Sequence, residues 1–139
     1  MTVEENKALV RRLYEAINQR TFDIFDEVLA PNYVHRSSPE YQFNRQQLKE
    51  FTINFGLATF PDLHVTLDEM IAEDDKVMAR WTQRGTHRGP FLDIPPTGKQ
   101  ISYSGINIFQ IANGQIVEDT PYWDFNVIVQ QLKAPSEEP

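Results

Sequence analysis

The side chains able to move a proton near neutral pH are few in these 139 residues: three histidines and no cysteine. An imidazole titrates near ~6.5, so it can serve as acid or base at working pH. His87 ends a run in which Val77, Ala79 and Trp81 alternate with Met78, Arg80 and Thr82. Successive side chains on a strand face opposite ways, so His87 and Gln83 share the apolar face of Trp81. There His87 is either an acid or base in a pocket, or an imidazole satisfied by a backbone carbonyl at the strand end. His35, in the extended stretch Tyr33-Val-His-Arg36, reaches either the mouth of that pocket or the loop beyond it. His64 falls on the polar face of its strand.

Asn113-Gly114 is a strong hairpin signal. A two-residue turn there pairs Ile111 with Ile116, Phe109 with Glu118 and Asn107 with Thr120, and then sets Tyr103 opposite Asp124. Pro121 has no N–H for the ladder, so a bulge is expected at that point. Asp124 then enters a space lined by Tyr103 and Trp81, where desolvation raises a carboxyl pKa and suits it to proton shuttling. The other reading has Asp124 capping the helix that starts at Phe125. Residue physics leaves both open. Glu69 and Glu118 read as bulge or edge residues in water, and Arg80, Arg84 and Arg88 as an outward stripe. The scattered histidines lack ligand spacing, so no metal is expected. No phosphate-binding loop, dinucleotide fingerprint or G-x-S-x-G motif is present.

The elements that must position these groups follow from periodicity. Thr2-Val-Glu-Glu5 is a capping box ahead of an amphipathic helix with Val10, Leu13, Tyr14 and Ile17 on one stripe. Thr21 caps a shorter helix with Phe22, Phe25 and Leu29 inward, stopped by Pro31. Asn44 caps a third, with Leu48, Phe51, Phe55 and Ala58 inward and Pro61 beyond its end. From Asp62 the period changes to 2: Leu63, Val65, Leu67 and Ile71 alternate with polar residues. Strands follow from Val77 to about His87, from Ile101 to Ile111, and after the Asn-Gly turn. A last helix, Phe125 to Leu132, buries Phe125, Ile128 and Leu132. Helices first and antiparallel strands after make the class α+β, with three N-terminal helices packed on one face of a curved antiparallel sheet. A bent sheet closed by helices leaves an apolar cone, where small ligands bind. Residues 1–133 form one domain, and 134–139 a flexible tail. On the third strand Ile106 and Ile108 lie opposite Tyr103, Asn107 and Phe109, so the outer face is apolar too and calls for a second copy of the chain.

Composition narrows the function. Twenty acids against thirteen bases, net charge −7, oppose a nucleic-acid partner. The acidic N-terminus is unlike a signal peptide, and no apolar run approaches the ~20 residues of a membrane span. A cytoplasmic protein is expected.

Several phrases, in this order and spacing, resemble the SnoaL-like ester cyclase branch of the NTF2-like superfamily: Pro31-Asn-Tyr-Val-His35, Phe60-Pro-Asp-Leu63, Thr86-His-Arg-Gly89, Ile94-Pro-Pro-Thr-Gly98, Asn113-Gly-Gln-Ile-Val-Glu118, and Asp124 ahead of Gln130-Gln-Leu132. The resemblance implies a cone-shaped sheet, a homodimer through its outer face, and a cofactor-independent intramolecular aldol cyclisation with one cavity aspartate as acid/base. The matching aspartate is Asp124, with His87 or His35 polarising an oxygen. A small apolar, carbonyl-bearing molecule would lie against Trp81, Tyr14, Tyr33, Tyr103, Asn107 and Phe51. Isomerisation and dehydration are the neighbouring chemistries; the alternative is a binding protein using the same cavity without turnover. An epoxide hydrolase is disfavoured, since the chain has no Arg-x-Asp. A ketosteroid isomerase-like use of Tyr14 lacks its base between Pro31 and Arg36.

Overall fold

The capping box forms as its spacing requires: in a computed structural model, which describes residues 2–135, the Thr2 hydroxyl accepts the Glu5 N–H and the Glu5 carboxylate accepts that of Thr2. Helix α1 (Val3–Gln19) follows and buries Val10, Leu13 and Tyr14. It ends at Arg20, which takes a left-handed backbone (φ 63°). Asn18 ties this end to the sheet edge, exchanging two hydrogen bonds with the Val65 backbone at 2.8 Å each. The expected second helix is only a 3₁₀ turn (Phe22–Ile24) and one α-turn, α2 (Phe25–Val28); Thr21 makes no side-chain cap. Leu29 already starts strand β1 (Leu29–Arg36), and Pro31 falls where its ladder is irregular, between the pairs Leu29–Ile116 and Val34–Glu118. After β2 (Gln42–Phe43), Asn44 and Gln47 form a second capping box for α3 (Arg45–Phe51), which widens into a π-helical segment, Thr52–Leu57. No residue of α3 or this segment is fully buried.

Strands β3 (His64–Glu73), β4 (Lys76–Thr86), β5 (Gln100–Ala112) and β6 (Gln115–Tyr122) form an antiparallel meander. The curved, unclosed sheet runs β2-β1-β6-β5-β4-β3, antiparallel except where β1 joins parallel to β6. Its inner face carries Val77, Ala79, Trp81 and Phe109 against α1, in an α+β cone. Trp81 faces inward as parity requires, 3% exposed, and leans over its cross-strand partner Gly105. A Cβ at Gly105 would lie 2.5 Å from Trp81 Cζ2, so glycine is what admits the indole.

Two registers differ from expectation. In β3 a bulge falls between Leu67 and Glu69, so the inward set resumes at Met70 and Ala72, and Ile71 is 56% exposed instead of inward. In β6 the irregularity lies not at Pro121 but between Ile111–Ile116 and Gln110–Glu118, leaving Val117 as the extra residue. Beyond it Phe109 pairs with Asp119 and Asn107 with Pro121, one residue off the uninterrupted ladder. Helix α4 (Phe125–Lys133) buries Ile128 and Leu132, whereas Phe125 stays 40% exposed. From residue 136 the expected flexible tail lies outside the described residues. No helix among those residues is long and apolar enough to cross a membrane.

Candidate functional site

The Val117 bulge decides which acid looks inward. Side chains alternate with period 2, so one extra residue exchanges the faces of everything after it. Glu118 therefore points out, where its carboxylate meets the Arg36 guanidinium at 2.5 Å, and Asp119 points in, 3% exposed. The parallel β1 strand sets His35 directly beside Asp119, and Tyr33, two residues earlier, shares that face.

Asp119 is met by three groups. Its Oδ2 accepts from the Tyr33 hydroxyl at 3.0 Å and lies 2.9 Å from His35 Nδ1; its Oδ1 accepts from Asn107 Nδ2 at 2.7 Å. A carboxylate oxygen has two acceptor sites, so Oδ1 keeps one free. A carboxylate only accepts, so Nδ1 of His35 is the nitrogen that donates to it, and Nε2 is left for other partners. That Nε2 has no protein partner among the described residues and is not sealed off; His35 also stacks on Phe43, the rings 5.8 Å apart. Burial, then the charge of Asp119, holds the Tyr14 phenol well above its ordinary pKa, and Tyr33 is pushed the same way. Both stay protonated donors.

These groups open on an internal cavity of about 140 Å³ between the sheet and the helices. His35, Tyr14, Asn107 and Asp119 supply its polar edge; Leu13, Trp81, Phe55, Phe91 and Phe109 are among its apolar walls. Phe51 and Tyr103 line it as well, the latter donating its hydroxyl to Gln83 Oε1. Tyr33 does not line it; its contact is with Asp119.

Two candidates fall elsewhere. Asp124 is exposed and caps α4, its Oδ1 accepting the Asn126 N–H at 2.8 Å. The register slip and the helix start together take its carboxylate away from the cavity. His87 is completely buried yet outside the cavity lining. Its Nδ1 accepts the Thr97 N–H at 3.1 Å, its ring packs on Phe60, and Nε2 has no partner among the described residues. Its side chain does turn inward, but the strand has ended and the imidazole pins the following loop. Burial lowers its pKa. The group that residue reasoning missed is Asp119. A signal existed: two successive acids on one strand must face opposite ways, so one of Glu118 and Asp119 has to look inward. Among the described residues no three His, Asp or Glu side chains are grouped to hold a metal.

Residues 7–132 match the family described as SnoaL-like polyketide cyclase. Aklanonic acid methyl ester cyclase AcmA of Streptomyces galilaeus is 27% identical over 136 residues, covering 96% of this chain and 94% of that protein. Nogalonic acid methyl ester cyclase of Streptomyces nogalater is 26% identical over 127 residues, 88% of this chain and 93% of its own. Among solved structures, TsrD from Streptomyces laurentii superposes with a TM-score of 0.85 at 28% identity, covering 97% of this chain and 99% of that one. With a match running through nearly all the elements that build the cavity, the chain belongs to the SnoaL-like polyketide cyclase family.

Proposed function

We propose that the protein closes a ring in a carbonyl-bearing polyketide by intramolecular aldol addition, without a cofactor, using His35 and Asp119 as its acid/base pair. The observation that carries this reading is the part-buried Asp119–His35 contact at 2.9 Å, opening on an apolar cavity. His35 Nε2 takes a proton alpha to a carbonyl, and Asp119 stabilises the imidazolium that results. The Tyr14 hydroxyl holds the enolate oxygen. The enolate carbon attacks a second carbonyl of the same molecule, and the new alkoxide receives the proton from the imidazolium. Charge is thus returned, and holding both carbons together in a dry site supplies much of the acceleration.

The cavity is smaller than the ~300–1,000 Å³ typical of ligand sites. A multi-ring substrate requires a wall to yield, and the α3–π segment, which has no fully buried residue, is the one to do so. The outer sheet face, with Ile71, Ile108 and Tyr122 exposed, we assign to a second copy of the chain.

The test uses aklanonic and nogalonic acid methyl esters, the compounds in the relatives' names. His35→Gln and Asp119→Ala should each lose at least ~10²-fold in ring closure while still binding the ester. Ester binding without ring closure by the unmutated protein would make this a binding protein instead.

A further inference from the structure

Among the described residues one group holds Asp119 from its Oδ1 side, the Asn107 amide, and that amide is itself held. Trp81 Nε1, a donor with no acceptor capacity, meets Asn107 Oδ1 at 2.7 Å. An amide presents oxygen at one end and nitrogen at the other, so an indole N–H on the oxygen obliges the NH₂ to face Asp119. All three are buried: Trp81 3%, Asn107 8% and Asp119 3% exposed. The backbone explains the reach. Trp81 pairs with Gly105 and Asn107 with Ala79, so the indole must lie along the sheet, across Gly105, to meet an amide two residues further on. The room for it exists because Gly105 has no side chain.

We infer that Trp81 and Asn107 are positioning residues for the acid/base pair, a donor relay from β4 through β5 that fixes one face of Asp119 and thereby sets the proton affinity of His35. The inference rests on the acid/base reading of that pair but concerns residues that need not touch the reacting atoms. Trp81 would otherwise be only an apolar wall. A donor to the carboxylate stabilises its anion. Removing the donor raises the proton affinity of the coupled His35–Asp119 pair, and a polarised amide donates more strongly than a free one. The titratable groups facing the pair are Tyr33 from β1 and Tyr14 from α1, both protonated across the working range. β4 and β5 bring the uncharged Trp81 and Asn107, and β5 also brings Tyr103 to the same cavity, a phenol that burial keeps protonated. The nearby Arg36–Glu118 ion pair lies on the opposite face and is half exposed.

The test is a titration of the His35 imidazole by nitrogen NMR in the substrate-free protein, assigned by its loss in His35→Gln. Asn107→Leu should raise the apparent pKa by about one unit. Trp81→Phe should raise it by less, and should add nothing in the Asn107→Leu background, because it acts through the amide. Equal Trp81→Phe shifts in both backgrounds, or no shift from Asn107→Leu, would overturn the relay. Should a variant fail to fold, the unmutated protein decides: the Trp81 indole proton, told from that of Trp123 by Trp123→Phe, must titrate with the His35 midpoint. An indole signal that ignores that midpoint refutes the inference. No readout here needs turnover, so failure of the cyclase reading in the ester assay is a separate result.

Discussion

Replacing Asp119 by asparagine changes almost no shape, yet the site converts that small exchange into a change of tautomer at His35. Three groups press on the carboxylate: Asn107 Nδ2 at 2.7 Å, His35 Nδ1 at 2.9 Å and the Tyr33 hydroxyl at 3.0 Å. An asparagine there has one oxygen and one NH₂. Two NH₂ groups cannot face each other at hydrogen-bond distance, so its oxygen must turn to Asn107 and its NH₂ to Tyr33 and His35. The Tyr33 oxygen can accept. His35 can accept at Nδ1 only by moving its proton to Nε2, the nitrogen proposed as the base. Folding should change by no more than about 1 kcal/mol, since every partner remains satisfied. Turnover should fall ~10²–10⁴-fold, the upper figure being the effect of a wrong tautomer in comparable Asp–His pairs. That corresponds to about 3–5 kcal/mol of barrier. Imidazole nitrogen shifts report the tautomer directly, and single-turnover ring closure reports the chemistry. A His35 proton that stays on Nδ1 in Asp119→Asn, or closure slowed less than tenfold, would refute the tautomer as the cause.

Asp124→Ala should cost about 1 kcal/mol in urea denaturation, through the lost cap on α4, and leave ring closure intact; a loss of closure matching that of Asp119→Ala would return the acid/base role to Asp124. His87, buried with a lowered pKa, binds its proton more readily unfolded than folded. Its contribution is therefore complete above about pH 6.5 and declines as pH falls below that, by at most ~1.4 kcal/mol per pH unit. His87→Gln, which can still accept the Thr97 N–H, should flatten the stability profile between pH 7 and 5; parallel profiles would count against this. Light scattering at micromolar concentration should give the mass of two chains, and a charge placed on the outer face, Ile108→Glu, should shift it to one; a wild-type monomer would refute the proposed dimer.

Local rules set much of this protein before any tertiary contact. Both capping boxes, Thr2–Glu5 and Asn44–Gln47, need only their own spacing. The change of period at Asp62 separates helices from sheet, and parity alone puts Trp81, Tyr103, Asn107 and Phe109 on the inner face. The Asn-Gly turn starts β5 and β6 in the expected register, Ile111 on Ile116. A few residues further along β6, that certainty is gone. A bulge at Val117 has no glycine or proline to announce it, and with a period of 2 a single inserted residue exchanges Glu118 for Asp119 at the cavity. The partners of Asp119 are equally invisible along the chain. His35 and Asp119 are joined because β1 lies parallel to β6, a pairing of segments distant in sequence, and Asn107 because β5 lies on the other side. Periodicity is a property of consecutive residues and can be read from them. Which carboxylate is buried against which imidazole is a property of strand registry, and registry is chosen by the packing of the whole sheet.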